Sequence, residues 1–200
     1  MGEETERIEH DQYFTDPAVA LAGVKRFQTV WKALSPIRQP PQRFLEPSVG
    51  QGAFSDAIRA VFPEAYIVGV DIDERMESHA MRSCNKFVCS DFLATTTKTP
   101  FDAVIGNFPF IYALEHYLHS LTLVKEGGCV SSLLKLAFKG SITRYEAIWK
   151  KDVRHKCYDA TYVPRPSFVY GTTDAQEYAQ FMWFKGINAP GITGEPIKWR

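Results

Sequence analysis

Arg43-Phe44-Leu45-Glu46-Pro47-Ser48-Val49-Gly50-Gln51-Gly52-Ala53-Phe54 is the stretch of sequence that decides the fold. Three residues with strand character, 43–45, lead into a glycine-rich turn, and a helix is predicted directly after it over 53–62. A strand, a glycine-rich turn and a helix in this order are typical of α/β proteins that bind a ligand at the helix N-terminus. A tight turn without a ligand has the same pattern, so the turn alone leaves both interpretations open.

Strand and helix patterns alternate outward from this turn. Further strands are predicted at 65–71, 86–90, 101–106, 128–135, 157–163 and 177–184. Asp16 and Pro17 predict a helix start, with that helix running to about residue 33, and other helices are predicted at 73–82, 111–125 and 141–151. The alternation predicts a mostly parallel sheet with helices on both faces, which binds ligands beyond the carboxyl ends of its strands.

The composition is that of an ordinary globular chain. The 200 residues fit one domain at 13–200, preceded by an acidic, flexible tail at 1–12. No run approaches the ~18 apolar residues of a membrane span, and the N-terminus lacks a secretory signal pattern. The four cysteines show no metal-ligand spacing and are expected to be free thiols. These features predict a cytoplasmic protein with no metal and no membrane partner.

Acidic residues follow three successive predicted strands. Glu46 opens the glycine-rich turn, where a carboxylate repels a pyrophosphate and attracts a cation. Asp71 ends the next strand, where it can accept from both hydroxyls of a ribose, and Asp91 follows the third, where it can accept from an adenine amino group. Ile72 or Phe92 would cover the adenine ring. Asp71 and Asp91 are each also explained as helix caps, but the ordered series predicts S-adenosylmethionine as the ligand.

A second motif, Ile105-Gly106-Asn107-Phe108-Pro109-Phe110, ends another predicted strand. The Asn107 side-chain oxygen and the Phe108 carbonyl can accept the two hydrogens of a planar amine and aim the nitrogen lone pair at a methyl donor. Phe110 would stack on the ring that carries the amine. The leaving group would be a neutral thioether, so catalysis needs positioning and no metal. A strand-ending turn with core aromatics is the alternative interpretation.

These motifs resemble the S-adenosylmethionine-dependent adenine-N6 DNA methyltransferases of bacteria and phages. Residues 46–54 are similar to the first motif of that family, 11–20 to its leading motif, and 101–110 to its catalytic motif. Residues 165–168, 173–178 and 182–184 also look like phage-type members. The resemblance implies a Rossmann-like class I methyltransferase with a seven-stranded, mostly parallel sheet and an antiparallel last strand. It implies methyl transfer from S-adenosylmethionine to the N6 amine of adenine, most of all in DNA.

The resemblance also assigns roles to individual residues. The catalytic residues are expected to be Asn107, Phe108, Pro109 and Phe110. The cofactor-binding residues are expected to be Tyr13, Phe14, Thr15, Glu46, Pro47, Ser48, Gly50, Gly52, Phe54, Asp71, Ile72, Asp91, Phe92 and Asn107. Phe108 stands where the family has proline, a form closer to the ribosomal RNA adenine dimethylases. Since Phe108 precedes Pro109, it is expected to stay extended and active, and Phe108→Pro is expected to preserve or raise activity.

A basic stretch at 135–156 is the candidate contact for a polyanion. Together with the aromatic and basic residues nearby, the expected substrate contacts are Phe110, Lys139, Lys150, Lys151, Arg154, Arg165 and Phe168. Residues 136–175 are accordingly expected to form a substrate-contacting insertion. A solvated helix face explains the same charges, so the stretch alone does not establish nucleic-acid binding. The five histidines show no metal or triad spacing and receive no role.

Three other functions fit the same motifs. The amine acceptors also suit adenine in RNA or the amide of a protein glutamine, and an inactive S-adenosylmethionine-binding interaction protein would share the turn. The basic stretch favours nucleic acid among these. Because the chain has little room for a recognition domain, a recognition subunit or a homodimer is expected as a further partner.

Overall fold

The computed structural model describes residues 13–34, 39–150, 156–168, 175–187 and 192–200. The tail predicted at 1–12, Lys151 and Arg154 lie outside these ranges. The helices within them are Pro17–Leu34 (α1), Ala53–Val61 (α2), Glu77–Ala80 (α3), Ala113–Leu123 (α4) and Ile142–Arg144 (α5). The strands are Arg43–Pro47 (β1), Tyr66–Asp71 (β2), Lys86–Cys89 (β3), Phe101–Asn107 (β4), Val124–Lys135 (β5), Lys156–Val163 (β6), Tyr178–Phe184 (β7), Ile192–Thr193 (β8) and Ile197–Lys198 (β9).

The strands of the described part form one sheet in the order β3-β2-β1-β4-β5-β7-β6-β8, and β9 pairs with β6. Strands β1 to β5 are parallel to one another, whereas β7 lies antiparallel between β5 and β6. This architecture confirms the predicted α/β fold, with its mostly parallel sheet and antiparallel last long strand. The two-residue strands β8 and β9 were not predicted, because two residues carry no periodic pattern.

Two apolar clusters cover the two faces of the sheet. On one face, Phe27 and Trp31 of α1 pack with Phe44 of β1 and with residues of α2. On the other face, Tyr117 of α4 packs with Trp183 of β7. The carboxyl ends of β1 to β4 are therefore held at one edge between two packed layers.

Helix α1 places the residues that precede it over this edge. Its start is as predicted, because the Ala18 amide donates to Asp16 Oδ1 at 2.8 Å. Gly23 allows close approach to the sheet, since a Cβ atom there would collide with the Tyr162 hydroxyl and with Gln180. Asn107 Nδ2, at the end of β4, donates to the Tyr13 carbonyl at 3.0 Å. The segment before α1 is thus fastened to β4.

Two predicted helices differ from their predicted form. In the 73–82 region the chain forms a 3-10 helix at Glu74–Met76 before α3, because the Asp73 carboxylate binds both the Arg75 amide and the Arg75 guanidinium. In the 141–151 region, α5 continues as a π-helix over Tyr145–Trp149. Local side-chain and backbone hydrogen bonds of this kind are not visible in hydrophobic periodicity.

Candidate active site

A cavity of about 560 Å³ lies at the carboxyl ends of β1 to β4. It brings together most of the predicted site: Tyr13, Phe14, Ser48, Gly50, Asp71, Ile72, Asp91, Phe92, Asn107, Phe108, Pro109 and Phe110. A cavity of about 40 Å³ shares Tyr13, Phe14, Ser48, Gly50 and Asn107 with it and adds Thr15, Glu46 and Phe54. Pro47 and Gly52 line neither cavity. The predicted cofactor and catalytic residues therefore meet at one edge of the sheet.

The glycine-rich turn is bent by three residues in the left-handed region. Ser48, Gly50 and Gly52 have φ angles of 55°, 48° and 81°. Glycine adopts this region readily, whereas Ser48 adopts it at a cost that proteins usually accept only at functional sites. The bend closes with a hydrogen bond of 2.8 Å from the Gly52 amide to the Val49 carbonyl. It exposes Ser48 and Gly50 to the cavity.

Asp71 connects this turn to β2. Its Oδ2 accepts from the Gly50 amide at 2.8 Å, and its Oδ1 accepts from the Asp73 amide at 3.0 Å. Each carboxylate oxygen has a second lone pair, so Asp71 can still accept from hydroxyl donors in the cavity. Asp91 caps the 3-10 helix that follows it, since its Oδ1 accepts from the Leu93 amide at 2.9 Å, and it also lines the cavity.

Glu46 is more deeply buried than the sequence implied. Only 2% of its surface is exposed, and its Oε2 accepts from the Ser55 amide at 2.7 Å and from the Ser55 hydroxyl. One carboxylate oxygen therefore caps α2 and is not free in the turn. Burial raises the pKa of Glu46 to about 8, although the hydrogen bonds from Ser55 oppose this shift. Glu46 still lines the smaller cavity, where a cation would favour its ionised form.

Replacing Glu46 by Gln should remove a pH-dependent loss of stability. The folded protein keeps the Glu46 proton up to a pH of about 8, whereas the unfolded chain releases it near 4.5. The free energy of unfolding of the unsubstituted protein should therefore fall between those pH values, by at most about 1.4 kcal/mol per pH unit. Urea unfolding of both proteins across this window should show a difference that grows with pH in favour of Glu46→Gln. If the free energies of unfolding of the two proteins change with pH in parallel, Glu46 is not protonated in the folded protein.

Asn107 presents an unsatisfied acceptor. Its Nδ2 is committed to the Tyr13 carbonyl, and this donor identifies the other atom as Oδ1. Oδ1 is buried and has no hydrogen-bond partner among the described residues. An orphaned buried acceptor is costly for folding, and Asn107 lines both cavities, so this residue is a candidate to accept from a ligand donor.

Phe108 is a core residue below the cavity. It is 1% exposed, and its ring centroid lies 5.7 Å from that of His116. Its amide donates to Ser132 Oγ at 3.4 Å. The ring therefore replaces the family's proline with apolar packing against α4, and the cost of removing it was not foreseen from the sequence.

His116 is a cavity residue that sequence reasoning missed. It lies 5% exposed beside Phe92, and burial lowers its pKa to about 4. The neutral ring donates from Nδ1 to the Tyr112 carbonyl at 3.1 Å, which leaves Nε2 as an acceptor. The available signal was its position on the helix that follows the Asn107 motif. Ser90, Leu93, Ile111 and Tyr112 also line the cavity without having been predicted.

An aromatic cluster adjoins Asn107. The rings of Phe110 and Tyr13 are stacked with centroids 5.6 Å apart, and Phe168 meets Phe110 edge-on at 6.0 Å. Tyr178 lies 5.8 Å from Phe110, and Lys135 Nζ lies 5.2 Å from the Phe110 ring. Phe168 thus contacts Phe110 although it lies 58 positions later in the chain.

Two described lysines of the basic stretch are paired with acidic residues of the protein. Lys139 Nζ lies 2.7 Å from both carboxylate oxygens of Asp159, and Lys150 pairs with Glu146 one helical turn away. Arg165 donates to the Ala175 carbonyl at 2.9 Å but remains exposed. These partners compete with a polyanion for Lys139 and Lys150. The structure describes neither Lys151 nor Arg154.

Other features of the described part place limits on the chemistry. No three His, Cys, Asp or Glu side chains there are grouped as metal ligands. No described helix has the length and apolar character needed to cross a membrane. The four cysteines are free thiols, as predicted, and Cys89 is the exposed one.

Comparisons with known proteins agree with the fold. No protein-family profile matches the chain. It is 33% identical over 108 residues to the type II methyltransferase M.CvrRI of Paramecium bursaria Chlorella virus XZ-6E, covering 54% of this chain and 28% of that protein. The chain thus spans less than a third of this relative.

Solved structures share the fold at low sequence identity. A putative class I S-adenosylmethionine-dependent methyltransferase from Listeria monocytogenes superposes with a TM-score of 0.73 at 14% identity, over 96% of this chain and 68% of the other. The plantazolicin methyltransferase BpumL, solved with a pentazolic desmethylPZN analogue and S-adenosylhomocysteine, superposes with a TM-score of 0.64 at 13% identity, over 85% of this chain and 86% of the other. The fold is that of the class I S-adenosylmethionine-dependent methyltransferases.

Proposed function

We propose that the chain transfers a methyl group from S-adenosylmethionine to the exocyclic N6 amine of an adenine in nucleic acid, with DNA the favoured substrate. The observation that carries this proposal is the buried, unpartnered Asn107 Oδ1 at the end of β4. It stands between a cavity with ribose-type acceptors and a cluster of aromatic rings. The viral relative is named a type II methyltransferase, which agrees with methyl transfer as the reaction.

The residues of the cavity fit the proposed cofactor. Asp71 retains acceptor sites for ribose hydroxyls, while Ile72, 58% exposed, offers an apolar surface to the adenine. Asp91 and the acceptor Nε2 of His116 can meet the adenine amino group. Glu46, in the smaller cavity, would ionise to meet the ammonium of the methionine tail. When bound there, S-adenosylmethionine supplies an electrophilic methyl group on a sulfonium sulfur.

The chain's part in the reaction is to hold and orient the acceptor amine. An adenine amine is a weak nucleophile because its lone pair is conjugated with the ring. Asn107 Oδ1 accepts one of its hydrogens and the Phe108 carbonyl accepts the other, which frees the lone pair as charge develops on nitrogen. The faces of Phe110 and Tyr13 lie against each other, so a base that stacks on Phe110 displaces the Tyr13 ring. A base buried in a duplex must first be flipped out.

Methyl transfer to defined acceptors tests the proposal. The protein would be incubated with radiolabelled S-adenosylmethionine and single-stranded DNA, duplex DNA, RNA or protein extract, followed by analysis of the modified residue. Label in N6-methyladenine of DNA is the expected result. Label confined to RNA or to protein glutamine would overturn the assignment of the acceptor. Binding of S-adenosylhomocysteine without transfer to any acceptor would instead identify an inactive binding protein.

A further inference from the structure

A second groove, of about 600 Å³, lies between the outer side of α1 and β9. It shares no lining residue with the two cavities at the active site. Its charged lining residues in the described part are all basic: Lys25, Arg26, Lys198 and Arg200. Clefts lined by charges of one sign attract ions of the opposite sign, so this groove favours a polyanion.

Two of the four cations are free to bind an anion. The ammonium groups of Lys25 and Lys198 have no hydrogen bond or ion pair with any residue that the structure describes. Arg26 is committed, because it donates to the Tyr158 hydroxyl at 2.8 Å. Lys139 and Lys150 of the basic stretch, by contrast, are both neutralised by acidic partners. Lys25 of α1 and Lys198 of β9 thus place two unpaired positive charges, among the described residues, in one groove.

The groove also contains a planar surface. The Arg200 guanidinium lies over the Trp199 ring, 4.1 Å from its centroid. Trp199 is held in place, because its Nε1 donates to the Pro164 carbonyl at 2.5 Å. Stacked aromatic and guanidinium planes beside free lysines form a surface on which nucleic-acid bases and phosphates bind together.

Two chain segments connect the residues of the groove with those of the active site. Lys198 of β9 pairs with Val163 at the carboxyl end of β6, and the chain then runs to Phe168, which contacts Phe110. Those five residue steps span at most ~18 Å, or about five nucleotides at the 3.4 Å rise of one duplex strand. On the other side, Ala18 lines the groove and Tyr13 lines the active-site cavity.

We propose that this groove binds the nucleic-acid strand that flanks the target base, with Lys25 and Lys198 contacting phosphates and the Trp199–Arg200 pair stacking on a base. The proposal rests on the proposed function, because it extends the same substrate beyond the reacting adenine. Nucleic acid is favoured over an anionic membrane because an aromatic platform accompanies the cations and because a short chain segment joins the groove to the aromatic cluster at Phe110.

The test removes the two free charges together. Lys25→Ala with Lys198→Ala would be compared with Lys86→Ala and Lys98→Ala, a control pair of exposed lysines outside the groove. Fluorescence anisotropy would measure binding to a 20-nucleotide single-stranded DNA over a range of salt concentrations, with S-adenosylhomocysteine present. The groove variant should bind several-fold more weakly at low salt. Its slope of log affinity against log salt should be shallower by about 1.4, the value for two phosphate contacts on a single strand.

The control pair should match the unsubstituted protein, and calorimetry should find unchanged affinity for S-adenosylhomocysteine in both variants. An unaltered salt slope in the groove variant would overturn the proposal. So would loss of binding to phosphatidylserine vesicles with DNA binding intact, since that result identifies a membrane surface.

The experiments distinguish a wrong groove proposal from a wrong proposed function. If the protein methylates adenine in DNA but the groove variant keeps the original salt slope, only the groove proposal fails. If no nucleic acid is methylated, the proposed function fails, and the salt slope still reports whether the groove binds nucleic acid.

Discussion

Asn107→Ala should lower the turnover of methyl transfer by about 10²- to 10³-fold while leaving the affinity for S-adenosylhomocysteine nearly unchanged. The reason is that Asn107 Oδ1 is buried and has no hydrogen-bond partner in the described part of the chain, and the donor that we propose for it is the target amine. An acceptor of this kind stabilises the developing charge on the amine more than the bound ground state. Single-turnover methylation of an adenine-containing oligonucleotide, with separate calorimetry, measures both quantities.

Two further variants separate the contributions at this site. Asn107→Asp keeps an acceptor oxygen but loses the Nδ2 donor that holds the Tyr13 carbonyl, so it should retain more turnover than Asn107→Ala. Asp71→Asn should weaken cofactor binding, because Asp71 accepts from the Gly50 amide in the glycine-rich turn. At saturating cofactor it should lose less turnover than Asn107→Ala. Equal turnover in Asn107→Ala and the unsubstituted protein would place the chemistry elsewhere.

Stability provides an independent check on Asn107. An unsatisfied buried acceptor destabilises the folded state, and removing it offsets part of the cost of losing the bond to Tyr13. The midpoint of thermal unfolding of Asn107→Ala should therefore change little even though activity is lost. A large fall in the midpoint would indicate that Asn107 serves mainly to fasten the segment before α1.

The fold was predictable because local patterns and tertiary structure agree. Each of the seven long strands is an apolar run bounded by turn residues, and Asp16 and Pro17 signal the start of α1. The alternation of strands and helices also predicted the cavity residues at the ends of these strands, because the carboxyl ends of β1 to β4 share one edge of a parallel sheet. The predictable part of the site is thus the part that topology fixes.

The remaining features depend on contacts between distant segments. Burial of Glu46 arises from Ser55, and the neutralisation of Lys139 arises from Asp159, 20 residues away. His116 enters the cavity only because α4 packs beside Phe92 and Phe108. A charge or a histidine in a sequence does not reveal its partner, so the acidic partners of Lys139 and Lys150 were not predicted and His116 was overlooked.

Phe108→Pro should lower the free energy of unfolding by about 3 kcal/mol, at the low end of the range for removing a buried phenylalanine ring. The ring is 1% exposed against His116, and proline also lacks the amide that donates to Ser132 Oγ. The prediction from the sequence concerned activity alone, and this burial adds an expected loss of stability. Urea unfolding measures the change, with Phe108→Leu as the control that retains the amide and part of the apolar contact.

The loss of stability in Phe108→Pro should not be accompanied by a loss of methyl transfer. Pro109 keeps residue 108 extended whichever residue occupies it, so the carbonyl at 108 stays available to the amine. Turnover per folded molecule of Phe108→Pro should therefore remain close to that of the unsubstituted protein, and Phe108→Leu should be both more stable and similarly active. If Phe108→Pro unfolds at the same urea concentration as the unsubstituted protein, the ring makes no net contribution to the core. If it stays folded but inactive, the ring positions the amine acceptors as well as filling the space below them.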